Sequence, residues 1–300
     1  MVRNTLAVKL QLLGYAVEFV STEHQLIETV SQCYPMADSN SQLCQIRIKL
    51  QSSRAKQNLN SIRFRLSNGM LVGKNGASFC FADRSTMSGH LRLCNQIQQN
   101  HYLLRHQFIN AVCYFLLSYQ FVTPLHCCAF TINSHTFVCL GQSGAGKSNL
   151  AMAAVKHGYE LISEDLAFIG QNRLFADCRE IHLLADSAKR FCELEQLKIS
   201  LSHNGKSKYI VPVNTRTNVK PHERLSTMFI KPNFGSDQSK ITEHQDPACF
   251  DSLFTPTEAG FNLHCKTRQD DIQWLSHQPS YLAQLGRSGR HFFDQLEALS

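Results

Sequence analysis

Proline and glycine are sparse in this chain, at 8 and 15 of 300 residues, while apolar residues make up 43%. This balance excludes the composition of a disordered chain and is ordinary for a globular protein. The sequence also lacks internal repeats and low-complexity linkers. A chain of this length is long for a single hydrophobic core, so one large domain and two smaller ones are both open.

Long apolar runs are missing as well. The longest apolar segment, Phe108–Leu117, is interrupted by Asn110 and is too short to span a bilayer. The first residues include Arg3 and Lys9 but no sustained apolar run, so the sequence predicts no signal peptide. We therefore expect a cytoplasmic protein without a membrane partner.

Runs of positive charge are absent, although the formal net charge is +7. The basic residues are scattered, with no run of five or more and no basic patch interleaved with aromatic residues. Nucleic acid is therefore not an expected partner. The positive surplus fits a ligand that carries phosphate groups.

Paired cysteine motifs are also lacking among the 12 cysteines. No CxxC pair occurs, and Cys127 and Cys128 are adjacent. The sequence therefore predicts reduced thiols that are mostly buried as small apolar side chains, and not a disulfide framework.

The first part of the chain predicts a small α+β module over residues 1–95. His24–Tyr34 has apolar residues at helical spacing, and Leu43–Leu50 alternates as a half-buried strand does. Asn68-Gly69 and Asn75-Gly76 are turn signals between short strands.

Residues 96–300 predict an α/β domain with a central mixed sheet. Its predicted elements in chain order are a helix over 102–119, strands over 126–132 and 135–140, a helix over 147–157, strands over 159–163 and 208–213, and one or two amphipathic helices over 279–300.

The strongest motif is Gly141-Gln142-Ser143-Gly144-Ala145-Gly146-Lys147-Ser148, which fits the P-loop pattern G-x-x-x-x-G-K-[ST] in full. An apolar strand leads into the motif and a helical pattern leaves it, as phosphate binding requires. The glycines let backbone N–H groups converge on one phosphate, and the following helix adds its positive N-terminal end. Lys147 reaches the β- and γ-phosphates, and the hydroxyl of Ser148 is a ligand for Mg²⁺. Asn149 completes the predicted nucleotide-binding segment.

Two acidic residues, Glu164 and Asp165, end the short strand predicted after the P-loop helix. One helix and one return strand fill the distance from Ser148, so these carboxylates are expected beside the phosphates. One acid of such a pair can hold Mg²⁺ or its water, and the other can accept a proton from the attacking hydroxyl.

The stretch from Leu125-His126 through the P-loop to Leu161-Ile162-Ser163-Glu164-Asp165 resembles the HPr kinase/phosphorylase family, and most of all its divergent HPr kinase-related proteins. The resemblance covers about residues 125–169. It implies an HPr kinase C-terminal-like P-loop domain that transfers phosphate from ATP to a hydroxyl with Mg²⁺, and the expected acceptor is a serine of a protein or peptide. It also implies catalytic roles for His126, Lys147, Glu164 and Asp165. Glu164 corresponds to the base, and Asp165 is expected to act with Ser148 on Mg²⁺.

The chain departs from that family at several positions. The first acid is Glu164 where the family has Asp, Asn149 replaces an acid or Thr, and no Gly-rich Arg-Gly segment precedes the substrate region. These departures put HPr itself as a substrate in doubt, and the phosphorylase reaction more so. An ATP-binding switch or scaffold without phosphoryl transfer and an NTPase remain alternatives. The acceptor, a homo-oligomeric state and the choice of ATP over GTP are left open.

Overall fold

The structure is a computed structural model, and it describes residues 4–55, 62–201, 207–213, 215, 224–233, 235–244, 246, 248–251, 268–287 and 289–300. These residues form a mixed α/β structure that divides into two compact units, one up to Phe121 and the other from Val122 onward. None of the helices in the described ranges has both the length and the apolar character needed to cross a bilayer.

The first unit is built on one mixed sheet. Its elements are β1 (Leu6–Leu12), β2 (Tyr15–Ser21), α1 (His24–Ser31), β3 (Gln42–Ser53), β4 (Arg63–Ser67), β5 (Met70–Asn75), β6 (Ser78–Asp83), β7 (Ser88–Cys94), α2 (Asn95–Gln99), α3 (His101–Leu103) and α4 (Asn110–Gln120), with a π-helical stretch at Leu104–Ile109. The strand order is β1-β2-β3-β7-β6-β5-β4, and the pairs β2–β3 and β3–β7 are parallel.

The helical segment that follows β7 belongs to this first unit. A Cβ atom on Gly89 would lie only 2.6 Å from Cγ1 of Val112, so the lack of a side chain on β7 lets α4 approach the sheet closely. Phe108 and Phe115, on the same helical segment, are fully buried. The break between the compact units consequently follows α4, whereas the predicted module boundary at residue 95 falls where this helical segment begins.

The second unit contains the predicted motif. Its elements are β8 (Thr123–Ile132), β9 (His135–Leu140), α5 (Lys147–Lys156), β10 (Glu160–Ser163), β11 (Leu166–Gly170), β12 (Arg173–Phe175), β13 (Glu180–Leu183), α6 (Ala185–Phe191), a 3₁₀ turn (Leu194–Gln196), β14 (Lys198–Leu201), β15 (Ser207–Pro212), β16 (Arg224–Pro232), β17 (Lys240–Glu243), α7 (Ala248–Asp251), α8 (Arg268–Ser276), β18 (Ser280–Leu285) and α9 (Gly289–Leu299).

The central sheet of the second unit is mixed and covered on both faces. Its strand order is β12-β11-β8-β9-β16-β18-β17, with β10 paired to β8, and the pairs β9–β16 and β16–β18 are parallel. One face packs against α5 and α9, with Leu150 and Phe293 in its core. The other face packs against α7 and α8 through Phe250 and Leu275. Burial on both faces explains why β9 is apolar along most of its length.

The structure differs from the predicted elements at two places. Residues 280–285 form strand β18 and not a helix, because they pair in parallel with β16 and antiparallel with β17. The antiparallel sheet β13-β15-β14, of which only the strand over 208–213 was predicted, packs beside α5 and supplies core residues such as Ile181. The predicted strand over 208–213 corresponds to β15, while helices α5 and α9 lie where helical patterns were predicted.

Candidate functional site

The Gly141–Ser148 segment joins the centre of the second unit's sheet to a helix. Strand β9 lies between β8 and β16, and its last residue, Leu140, is opposite Cys127 on one side and Phe229 on the other. Helix α5 begins at Lys147, immediately after the glycine-rich loop. The segment therefore has the strand, loop and helix order that the motif requires, at the carboxyl end of a buried strand.

Three glycines of this loop occupy positions that favour glycine. A Cβ atom on Gly141 would lie 2.9 Å from the carbonyl oxygen of Ile230 and 2.8 Å from its Cγ1. Gly144 and Gly146 have φ angles of +85° and +98°, in the left-handed region that favours glycine. Gly141 thus permits close approach to β16, and the other two allow the loop to curl back to the start of α5.

Lys147 is folded into the loop that precedes it. Its ammonium group donates hydrogen bonds to the carbonyl oxygens of Gly141 (2.7 Å) and Gln142 (3.2 Å), and its side chain is buried. Burial lowers the pKa of Lys147, and nearby ionisable groups, including the carboxyls of Asp165 and Glu164, act in the opposite direction. The lysine side chain is therefore buried against the backbone of the loop that precedes it.

The acid pair is placed by an irregularity in the strand before it. The pairing of β10 with β8 shifts register between Leu161 and Ser163, as at a β-bulge. Beyond the shift, the hydroxyl of Ser163 donates to the carbonyl of Cys127 (3.3 Å), and the Cys127 N–H donates to the carbonyl of Asp165 (3.0 Å). A bulge of this kind re-aims the side chains that follow it.

Glu164 faces the start of α5. The hydroxyl of Ser148 donates a hydrogen bond of 2.8 Å to Oε1 of Glu164. Its other oxygen, Oε2, lies 3.5 Å from Nδ1 of His182, and only 5% of the Glu164 side chain is exposed. This carboxylate is therefore buried and held from both sides.

Asp165 faces a different partner. Its Oδ1 lies 3.4 Å from Nδ1 of His126, and 47% of its side chain is exposed. His126 is on β8, where it pairs with Leu166 of β11. The two consecutive acids thus differ in both partner and solvent access.

His182 is a site residue that the sequence did not single out. It lies on β13, in the small sheet beside α5, and no local motif surrounds it. Cys178 precedes the same strand, and burial, followed by the nearby charge of Glu164, raises the pKa of its thiol to about 12. The packing of the small sheet brings His182 to Glu164.

The predicted site residues gather around one loop. The motif residues Gly141–Ser148, the acids and His126 belong to adjoining strands and to the start of α5. Ala145 is buried, Asn149 is partly buried, and Gln142 and Ser143 are exposed. Glycine-rich backbone, a buried lysine, a serine hydroxyl and two carboxylates therefore meet at one end of the sheet.

The oxygen donors Ser148 and Glu164 fit a small divalent cation. Mg²⁺ prefers oxygen ligands at about 2.0–2.1 Å in octahedral geometry, so neighbouring ligand oxygens are about 2.9 Å apart. Ser148 Oγ and Glu164 Oε1 are 2.8 Å apart. These two atoms match adjacent corners of such an octahedron.

Comparison with known proteins identifies a resemblance in structure alone. No protein family profile matches the chain, and neither does any curated protein. Among solved structures, the Hpr(Ser) kinase/phosphatase from Coxiella burnetii matches with a TM-score of 0.28 and 11% sequence identity, over 59% of this chain and 94% of that chain. The chain therefore has a weak structural neighbour among HPr kinases, at a level that carries no argument about its chemistry.

Proposed function

We propose that this chain is a Mg²⁺-dependent kinase that transfers the γ-phosphoryl group of ATP to a hydroxyl, with a serine of a protein or peptide as the acceptor. The observation that carries the proposal is the hydrogen bond between Ser148 and Glu164, at the start of α5 and directly after the glycine-rich loop. It joins the two chemistries that a kinase needs, phosphate binding and oxygen ligands for a metal ion.

Phosphate binding is assigned to the loop, the start of α5 and Lys147. The N-terminal end of a helix attracts anions, and a glycine-rich loop exposes backbone N–H groups to them. The ammonium group of Lys147 bonds to two loop carbonyls. A phosphate chain offers it charged oxygens instead, and charge-assisted hydrogen bonds are stronger than bonds to neutral carbonyls.

The metal site is assigned to Ser148 and Glu164. When bound, Mg²⁺ neutralises charge on the β- and γ-phosphates during transfer. The buried carboxylate of Glu164 holds the serine hydroxyl in place, and His182 contacts the other carboxylate oxygen. This assignment differs from the expectation that Asp165 is the metal ligand.

Asp165 is assigned as the proton acceptor. Nearly half of its side chain is exposed, whereas Glu164 is almost fully enclosed, and an incoming acceptor can reach only the exposed carboxylate. In transfer, the acceptor oxygen bonds to the γ-phosphorus, the bond to the β–γ bridging oxygen breaks, and ADP leaves. The acceptor proton passes to Asp165, while His126 orients the carboxylate.

The test combines γ-labelled ATP, Mg²⁺ and a degenerate serine-peptide library with the wild-type protein and Lys147→Ala. We expect Mg²⁺-dependent ATP binding and label on peptide in the wild type, and loss of most of both in the variant. Label released only as free phosphate would favour an NTPase, and ATP binding without label transfer would favour a binding module. Equal ATP affinity in the wild type and Lys147→Ala would overturn the assignment of the loop itself.

A further inference from the structure

A second group of chemically reactive side chains lies beyond β17. His244, Asp246 and Cys249 each offer one ligand atom, and these atoms all lie within 4.8 Å of one another. The three residues span a short stretch of chain and share no residue with the loop and acid pair. We propose that they form a binding site for a transition-metal dication, with Zn²⁺ as the ion that fits the donors best.

The spacing of the donors is close to that of a zinc site. Nε2 of His244 lies 2.8 Å from Sγ of Cys249, so the two atoms share a hydrogen. Tetrahedral Zn²⁺ with bonds of about 2.0 Å to nitrogen and 2.3 Å to sulfur separates such donors by about 3.5 Å. The pair therefore has to open by less than about one ångström to accept the ion.

His244 is held by backbone bonds to a strand of the central sheet. Its N–H donates to the carbonyl of Ser280 (2.8 Å), and its own carbonyl accepts a hydrogen bond from the Ser280 hydroxyl. The ring of Phe229 meets the imidazole edge-on at 5.7 Å. The imidazole is thus positioned by a rigid element, which lowers the ordering cost of binding an ion.

Cys249 is held by contacts of its own segment. Cys249 lies in α7, and its N–H donates to the carbonyl of Asp246 (3.3 Å). The next residue, Phe250, is buried and packs edge-on against Phe229 at 5.0 Å. The ring of Phe229 therefore packs against His244 on one segment and against the neighbour of Cys249 on the other.

The donor set favours zinc over magnesium. Sulfur and imidazole nitrogen are soft or borderline ligands, which Zn²⁺ accepts and Mg²⁺ does not prefer. On binding, the thiol releases its proton to solvent, and the thiolate together with the Asp246 carboxylate neutralises the dication. Three protein donors leave one tetrahedral position for water, and the exposed Asp246 places the site at the surface.

The test uses Co²⁺ as a spectroscopic probe and Zn²⁺ as its competitor, with no nucleotide present. We expect the full chain to bind Co²⁺ with a thiolate charge-transfer band that Zn²⁺ abolishes. Cys249→Ser should lose the band, and Asp246→Asn should weaken binding by at least about tenfold, because each removes one of three protein ligands. Cys192→Ser, at a partly exposed thiol outside the cluster, should behave as wild type.

Folding of each variant is checked by circular dichroism. If Cys249→Ser does not fold, the Co²⁺ affinity of the exposed Asp246→Asn variant tests the site. The band persisting in Cys249→Ser, or Co²⁺ binding by Asp246→Asn as tightly as by the wild type, would overturn the proposal. Zn²⁺ should also protect Cys249 from alkylation while leaving Cys192 reactive, and equal protection of both thiols would count against the site.

Discussion

Glu164 and Asp165 are neighbours in the chain, yet each has a different environment. Glu164 is enclosed between Ser148 and His182, and Asp165 is half exposed beside His126. Similar carboxylates in different surroundings commonly serve different chemical roles. The contacts of each side chain therefore carry more information about its role than its place in the pair.

The first prediction separates these two roles. Asp165→Asn keeps the size of the side chain but removes the proposed proton acceptor, so phosphoryl transfer should fall by about 10²–10⁴-fold. Its affinity for Mg-ATP should stay close to that of the wild type. Glu164→Gln should instead weaken the Mg²⁺-dependent part of ATP binding, because it replaces the proposed charged metal ligand with a neutral amide.

Both quantities are measured for both variants, by titration with Mg-ATP and by transfer of label. Ser148→Ala is the matched control, since it removes the other proposed metal ligand and should resemble Glu164→Gln. Should Glu164→Gln bind Mg-ATP normally and lose transfer, the base would be Glu164, as its position in the pair predicted.

At the scale of elements, the loop before α5 requires left-handed backbone conformations that favour glycine. Gly144 and Gly158 make a matched pair, with φ angles of +85° and +82°, and a Cβ atom added at either position would meet no atom within 4 Å. Alanine at each site should therefore cost a similar amount of stability, about 1–2 kcal/mol. Only Gly144→Ala should also lower the affinity for ATP, because only Gly144 lies in the proposed phosphate-binding loop.

The comparison is made by urea unfolding and by ATP titration of both variants. Gly158→Ala with wild-type affinity would show that strain alone does not impair binding. Equal losses of affinity in the two variants would contradict a specific role for the loop.

Aromatic packing attaches helix α9 to the sheet and to the end of α5. The ring of Phe293 lies 5.6 Å from that of Phe130, 5.1 Å from that of Tyr159 and 4.9 Å from that of His157. Phe293→Ala should lower the free energy of unfolding by about 3–5 kcal/mol, the usual cost of truncating a buried phenylalanine. Chemical denaturation measures the loss.

The control for this helix is Glu297→Gln. The hydroxyl of Tyr159 donates a hydrogen bond of 2.6 Å to Glu297 at the exposed end of the same contact. Such a bond contributes about 1 kcal/mol or less, so this variant should remain close to wild type. A larger loss in Glu297→Gln than in Phe293→Ala would contradict aromatic packing as the larger of the two contributions.

The sequence predicted those elements whose signals are local. The hairpin of β8 and β9, the start of α5 at Lys147 and the acids after β10 follow from turn residues, the glycine pattern and short apolar runs. Residues 280–285 were instead predicted as helix, because their strand character comes from pairing with β16 and β17. Long-range pairing of that kind overrides local propensity.

The residues of the candidate site likewise divide into those with a local sequence signal and those placed only by tertiary packing. The motif and the acid pair could be found from spacing, but His182 could not, since it reaches Glu164 only through the packing of the small sheet. The partner of each acid also depends on the register shift in β10, which no residue pattern indicates. The sequence therefore indicated the motif and the acid pair, but neither His182 nor the contacts among these side chains.

For the whole molecule, buried thiols make stability depend on pH. Burial raises the pKa of Cys178 to about 12, and it also raises the pKa of Cys127 and Cys128. A thiol whose folded pKa is raised binds its proton more tightly in the folded state, so it stabilises the fold fully below its unfolded pKa. That contribution is lost as the pH rises from about 8.5, the ordinary value for cysteine, toward the folded pKa.

The second unit should therefore lose stability in alkali. Each such thiol contributes a loss of up to about 1.4 kcal/mol per pH unit above about pH 8.5. Trp274, the one tryptophan in the sequence, packs against the core of this unit, so its fluorescence reports the unfolding there. Urea midpoints should fall between about pH 8 and pH 11, and less steeply in Cys178→Ala. An unchanged slope in that variant would contradict the assignment.

The parallel pairing of β9 with β16 has a consequence for synthesis on the ribosome. His135 pairs with Arg224, so β9 and the loop after it are translated long before their neighbouring strand. Until β16 emerges, one side of β9 is an open edge, and an open edge invites association with other chains. The packing of Ile230, a residue of β16, beside Gly141 is likewise absent from the nascent chain. Fragments that end before β16 should therefore aggregate and fail to bind nucleotide, even though they contain the complete motif.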